Sequence, residues 1–96
     1  MAHKKLYIIC YDIEKDKQRN KIAKALENYG KRVNYSVFEC FLTPAQHRLI
    51  YSKLMKNMNE KTDKIKIYAM CQNCYVSSDE LGKKDYDFKK TTIFVE

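Results

Sequence analysis

The run Leu6-Tyr7-Ile8-Ile9-Cys10-Tyr11 carries no charged residue until it stops at Asp12. Aromatic and β-branched residues at this density read as a strand, and the lack of alternation reads as a strand covered on both faces. Such a strand needs a layer of structure on each side of its sheet. The acid at its carboxyl end places a charge where a sheet opens toward solvent, a common position for chemistry in α/β folds. A basic helix follows, so the pattern points to a metal-assisted site that meets a polyanion.

Ninety-six residues suffice for one domain with one core. A formal charge of +7 favours nucleic acid over a membrane surface as the partner. The plainer alternative is a merely soluble basic protein. No apolar stretch approaches the ~20 residues of a membrane span, so no membrane partner is expected. The start Met1-Ala2-His3-Lys4-Lys5 is basic, but the apolar run after it is too short for a signal peptide. The expected location is therefore cytoplasmic, where the four cysteines stay reduced.

The first strand is expected over residues 5–12. Asp16 suits an N-cap, and a helix then runs to Tyr29, stopped by Gly30. Its apolar side is Ile22, Leu26 and Tyr29, and Arg19 extends that stripe toward the strand end holding Asp12. Lys17, Lys21, Lys24, Asn28 and Lys31 follow the same spacing on the outer side as a basic ridge. Residues 32–42 are extended by composition, with one bent strand and two strands joined near Ser36 both open. Thr43-Pro44-Ala45-Gln46 is a strong helix start with the elements of a capping box. Ile50, Tyr51, Leu54 and Met58 form the buried stripe of that helix, with His47 packed on it. Residues 64–70 alternate as a further strand. A turn and short strand around Tyr75-Val76 and a terminal strand over residues 91–95 complete the reading.

This order suits an α+β fold, a ferredoxin-like βαββαβ sandwich over residues 1–78 with an added C-terminal strand. Residues 79–96 form an extension whose terminal strand would pair with a partner protomer's edge. Two helices cover one face of a sheet only, so a homodimer through facing sheets is the simplest cover for the other.

Asp12 alone is a modest catalytic signal. A single carboxylate can serve Mg²⁺, which keeps several waters in its shell. Two copies of Asp12 meeting across a dimer axis repel, unless they share a proton or hold one cation between them. One Mg²⁺ per dimer could then polarise a phosphodiester and activate water. Arg19 and Arg32 would hold the scissile phosphate, the guanidinium being suited to bidentate contacts. The Ser36 hydroxyl and Phe38 ring could position a phosphate and a base, with packing the plainer role for Phe38.

Cys71-Gln72-Asn73-Cys74 has the spacing of metal ligands, but a structural zinc site needs four ligands and no second such pair exists. Two copies could complete one across a dimer, or the pair could be redox-active. Cys10 and Cys40 read as small apolar residues.

These residues together resemble a known family. Tyr11-Asp12, Arg19-Asn20-Lys21 and the stretch from Gly30 through Cys40 are similar to CRISPR-associated protein two, the small subunit of the spacer-acquisition machinery. The resemblance continues through Leu42-Thr43, Gln46, Ile67-Tyr68 and Cys71. It implies a ferredoxin-like homodimer with facing sheets and exchanged C-terminal strands. It also implies a cytoplasmic role in antiviral adaptation, with two dimers of the CRISPR-associated integrase, protein one, flanking this dimer on double-stranded prespacer DNA. By position, Asp12 matches the family's metal-binding acid, and Arg19, Arg32, Ser36 and Phe38 fall on positions tied to phosphate handling or activity. Lys21 stands where some members have Arg, which keeps the charge but not the fork.

The resemblance further implies a Mg²⁺-dependent endonuclease acting on single-stranded RNA or duplex DNA; the basic ridge of Lys17, Lys21, Lys24 and Lys31, together with Arg32, is the expected nucleic-acid-binding set. Two alternatives stay open beside it: a non-catalytic DNA-binding scaffold, and a stand-alone ribonuclease of the toxin type.

Overall fold

The computed structural model of the chain describes residues 3–79 and 81. Its elements run β1 (Lys5–Asp12), α1 (Asp16–Glu27), β2 (Gly30–Asn34), β3 (Val37–Leu42), α2 (Pro44–Asn57), β4 (Lys64–Met70) and α3 (Gln72–Val76). The expected terminal strand over residues 91–95 lies outside the described residues, as does most of the extension. Among the described residues no helix is long and apolar enough to cross a membrane.

The four strands form one antiparallel sheet in the order β2-β3-β1-β4. This is the ferredoxin-like order, with the most apolar strand, β1, at an interior position. Ile9 of β1 is flanked by Phe38 of β3 and Ile67 of β4. Successive strand residues point to opposite faces, so Tyr7, Ile9 and Tyr11 share a face with Phe38, Cys40 and Leu42. That face meets Ile22 and Leu26 of α1 and Ile50 and Leu54 of α2 in one core. Each large side chain withdrawn this completely contributes about 1.5–3 kcal/mol.

The described residues cover the opposite face only in part. Ile8, Cys10, Val37 and Met70 are half-buried there, and Tyr68 is 50% exposed. Leu6 and its cross-strand partner Phe41 are the exceptions: both are buried, Leu6 fully, in β1, against which α3 packs.

α1 begins one residue earlier than a cap at Asp16 would give. Lys15 is the N-cap and Asp16 the first helical residue, where a carboxylate still favours the helix dipole. The helix ends at Glu27 rather than Tyr29. Gly30 is no helix terminator: it opens β2, where a Cβ would meet the carbonyl oxygen of Glu39 and lie 2.7 Å from the Cα of Cys40. The close approach of β2 to β3 therefore demands glycine.

The extended stretch after Gly30 resolves into two strands joined by a turn at Tyr35 and Ser36. The Asn34 side chain accepts the Tyr35 N–H at 2.7 Å, which fixes the turn, and the register slips between Arg32 and Asn34.

α2 starts with the expected capping box. The Thr43 hydroxyl accepts the Gln46 N–H at 3.2 Å, and the Gln46 side chain accepts the Thr43 N–H at 3.0 Å. Ile50 and Leu54 are buried and Met58 packs against the core, but Tyr51 is 54% exposed, so the stripe is narrower than its spacing suggested. His47 stacks on Tyr7 with ring centroids 4.6 Å apart, a packed histidine as expected.

The strand expected around Tyr75-Val76 is instead part of the short helix α3. The Cys74 N–H donates to the Cys71 sulfur, and the hydroxyls of Ser77 and Ser78 donate to the carbonyls of Asn73 and Cys74 at 2.7 and 2.6 Å. Side chains thus close both ends of a segment whose residue types favour extension.

Candidate functional site

β1 delivers Asp12 to the rim of the sheet, exposed and opposite Lys64, the first residue of β4. Alternation places it on the same side as Leu6, Ile8 and Cys10, the side that α1 and α2 leave uncovered. Among the described residues no group of three or more His, Cys, Asp or Glu side chains could hold a metal ion. A lone exposed carboxylate suits a hard cation that keeps most of its water, and a second copy would be needed to add another protein ligand.

The remaining predicted site residues gather at the same end of the sheet but on its helix side. Tyr11 is buried, and its ring stacks on that of Phe38 with centroids 6.2 Å apart. The Arg32 guanidinium lies over the Phe38 ring, 5.2 Å from its centroid. Burial pushes the Tyr11 phenol above its ordinary pKa, and the positive charges of Arg32 and Arg19 oppose that rise. Two arginines thus flank one buried tyrosine. Arg32 also buries its Nε–H without an acceptor among the described residues.

Arg19 does not pair with Asp12. It forms an ion pair with Asp16 and donates from Nη1 to the Ile13 carbonyl at 3.2 Å, bracing the loop that follows Asp12. Ser36 is joined to the strand end through its backbone, its carbonyl accepting the Tyr11 N–H at 3.1 Å. Phe38 is fully buried and so supports Arg32 and Tyr11 rather than meeting a base itself. The five residues therefore share one end of the molecule, with Asp12 facing away from the Arg32–Phe38–Tyr11 group.

Lys17, Lys21 and Lys24 stand exposed on α1, as the ridge required. Lys31 is exposed too, but on β2 and not on the helix. The basic surface consequently passes from α1 onto an edge of the sheet, because α1 stops before the spacing is complete.

The site holds two residues to which the sequence alone assigns no role. One is Tyr11, which the sequence marks only as the neighbour of the acid. The other is Asp63, whose carboxylate accepts N–H bonds from Glu14 at 2.9 Å and Asn59 at 2.8 Å, and a hydroxyl bond from Thr62 at 3.1 Å. Those backbone donors hold its carboxyl below the usual carboxylate range. Asp63 ties the loop after Asp12 to the turn that leads into β4. The only local hint is the polar cluster between α2 and β4, since the bond to Glu14 spans 49 positions.

Known proteins share this fold and much of this sequence. Residues 5–77 match the family model for CRISPR associated protein Cas2. A Rhodospirillum rubrum protein named CRISPR-associated endoribonuclease Cas2 4 is 43% identical over 76 residues, covering 79% of this chain and 61% of the relative. The chain thus spans about three fifths of that protein's length. The crystal structure of Streptococcus pyogenes Cas2 superposes with a TM-score of 0.72 at 34% identity, covering 80% of this chain and 99% of that one. A chain in a partial Cas6-RT-Cas1–Cas2 complex gives a TM-score of 0.68 at 33% identity, over 80% of this chain and 84% of its own. The ferredoxin-like sheet, the strand-end acid and these likenesses agree, and the chain belongs to the CRISPR associated protein Cas2 family.

Proposed function

We propose that this protein is the dimeric, nucleic-acid-binding subunit of a CRISPR spacer-acquisition complex, with a Mg²⁺-dependent endonuclease activity centred on Asp12. The observation that carries the reading is the position of Asp12: a solvent-facing carboxylate at the end of an apolar strand, on the sheet face left half-covered. Two such faces stacked about a two-fold axis would bury Ile8, Cys10, Val37 and Tyr68 and bring the two acids toward each other.

The donor set fits a hard, hydrated cation, and Asp12 from each protomer would hold it. When bound, such an ion supplies positive charge to a phosphodiester and lowers the pKa of a coordinated water. The chain's own contribution is positioning. Arg32, oriented by the Phe38 ring, offers its guanidinium fork to a phosphate. Arg19 and Asp63 hold the loop beside Asp12 in place. Lys17, Lys21, Lys24 and Lys31 supply the sequence-independent attraction for a nucleic-acid backbone.

Relatives named endoribonucleases support the hydrolytic part of this reading. The neighbour solved in a complex with Cas1 supports the integrase as a partner; a role on DNA, carried out in the cytoplasm, is part of the same proposal. Asp12→Asn tests both parts. In a purified dimer with Mg²⁺ we expect cleavage of single-stranded RNA and duplex DNA to fall at least ~100-fold, while capture of the integrase on duplex DNA persists. Undiminished cleavage would sink the catalytic assignment, and failure of the folded wild-type chain to capture the integrase would sink the adaptation role.

A further inference from the structure

The proposed site makes no use of the thiols that follow β4. Cys71 comes directly after Met70, the last residue of β4, and Cys74 lies in the first turn of α3. Both are exposed, and their sulfurs are 3.1 Å apart in a shared hydrogen bond. The Cys74 backbone N–H also donates to the Cys71 sulfur at 3.3 Å. A covalent S–S bond, about 2.05 Å long, needs the two sulfurs to approach by about a further ångström.

We propose that Cys71 and Cys74 form a reversible dithiol–disulfide couple, oxidised by a low-molecular-weight disulfide such as oxidised glutathione. The two sulfurs are chemically unequal. Hydrogen bonds from the Cys74 thiol and backbone stabilise a thiolate on Cys71 and hold its pKa below the ordinary range. The same shared bond and the charge on Cys71 push Cys74 up. Cys71 is therefore the attacking thiol and Cys74 the resolving one. The other two cysteines differ. Cys40 is buried in the core, where loss of hydration pushes its thiol up to about 12, and Cys10 is half-buried within β1.

The exchange takes two steps. The Cys71 thiolate attacks one sulfur of the small disulfide, whose S–S bond breaks; a mixed disulfide forms on Cys71 and one small thiolate departs and takes up a proton. Cys74 then gives its proton to solvent, and its thiolate attacks the Cys71 sulfur. The second small thiolate leaves and is protonated. The protein loses two electrons in forming one S–S bond, and the small disulfide gains them in becoming two thiols.

A metal site is the rival use of this pair. Two thiolates make half of a tetrahedral centre, and among the described residues no third His, Cys, Asp or Glu stands by to extend it. Geometry thus favours the bond between the sulfurs. Its structural effect would be a covalent clasp where the chain leaves the sheet, fixing the first turn of α3 against β1.

The test uses the full chain in buffers of defined reduced-to-oxidised glutathione ratio, quenched with acid and read by intact mass and peptide mapping. We expect a mass decrease of two hydrogens with a Cys71–Cys74 linkage, reversed by excess reduced glutathione. Cys74→Ser should accumulate one glutathione on Cys71, and Cys71→Ser should acquire its adduct at least tenfold more slowly. The wild-type result stands even if a variant folds poorly. Cysteines that stay reduced in oxidised glutathione, or equal adduct rates in the two variants, would overturn the proposal. So would protection of the thiols by one Zn²⁺ per two chains with no disulfide formed, which would assign the pair to a shared metal site.

Discussion

Arg32 and Phe38 face each other across the β2–β3 ladder, and the Arg32 guanidinium rests 5.2 Å from the centroid of the Phe38 ring. A charged residue of an edge strand is thereby aligned by a ring at the centre of the core. The stacking converts packing into orientation, since a guanidinium held on a ring keeps its fork in a defined plane.

Truncating the platform should therefore do two things. Phe38→Ala is expected to cost about 3–5 kcal/mol of stability by emptying a fully buried site, measured by denaturant unfolding. Phe38→Leu, with a smaller decrease, should retain the fold yet weaken nucleic-acid binding as Arg32→Ala does. Binding unchanged in the folded Leu variant would restrict Phe38 to a packing role.

Gly30→Ala should destabilise by about 1–3 kcal/mol, the range for forcing atoms into a filled space. The added methyl would press on backbone, the Glu39 carbonyl and the Cys40 Cα, and not on a yielding side chain. Thermal unfolding of the purified variant checks this, and an unchanged melting temperature would contradict the close β2–β3 approach.

Asp63 gives a pH-dependent prediction. Its carboxyl titrates lower in the folded protein than in the unfolded chain, because backbone N–H donors favour the ionised form. Its contribution is then complete above the unfolded value near 4 and disappears as pH falls through the folded one. Asp63→Asn should lower the melting temperature by a few degrees at pH 7, with the gap from wild type narrowing below about pH 4. A gap independent of pH would assign the effect to shape and not to charge.

Reversing the helix charges should change the salt response of binding. Lys17, Lys21 and Lys24 substituted by Glu are expected to weaken affinity for duplex DNA and to flatten the log–log salt slope by about one unit for each phosphate no longer neutralised. Titrations at several salt concentrations decide it, and equal slopes would place the DNA elsewhere.

Much of this architecture was legible because its signals are local. The unbroken run into Asp12, the Thr43–Gln46 capping box and the alternation from Lys64 each settle an element within a few residues. α3 escaped because a five-residue helix has no room for periodicity, and Tyr75 and Val76 favour extension. Gly30 misled in the opposite sense: a residue typical of helix ends was needed by a neighbouring strand. The division of the site between two faces of the sheet, and the hold of Asp63 on Glu14, depend on pairings across long stretches of chain. Spacing along a single element carries no trace of them.

The slip in register between Arg32 and Asn34 bears on how the sheet can grow. A foreign strand laid along β2 would meet amides and carbonyls out of step, as bulged margins in natural sheets do to deter unwanted pairing. The ladder between β1 and β4 runs without interruption from Leu6 to Asp12. Among the described residues the sheet thus has one margin whose irregular spacing discourages extension and one whose regular spacing would welcome it.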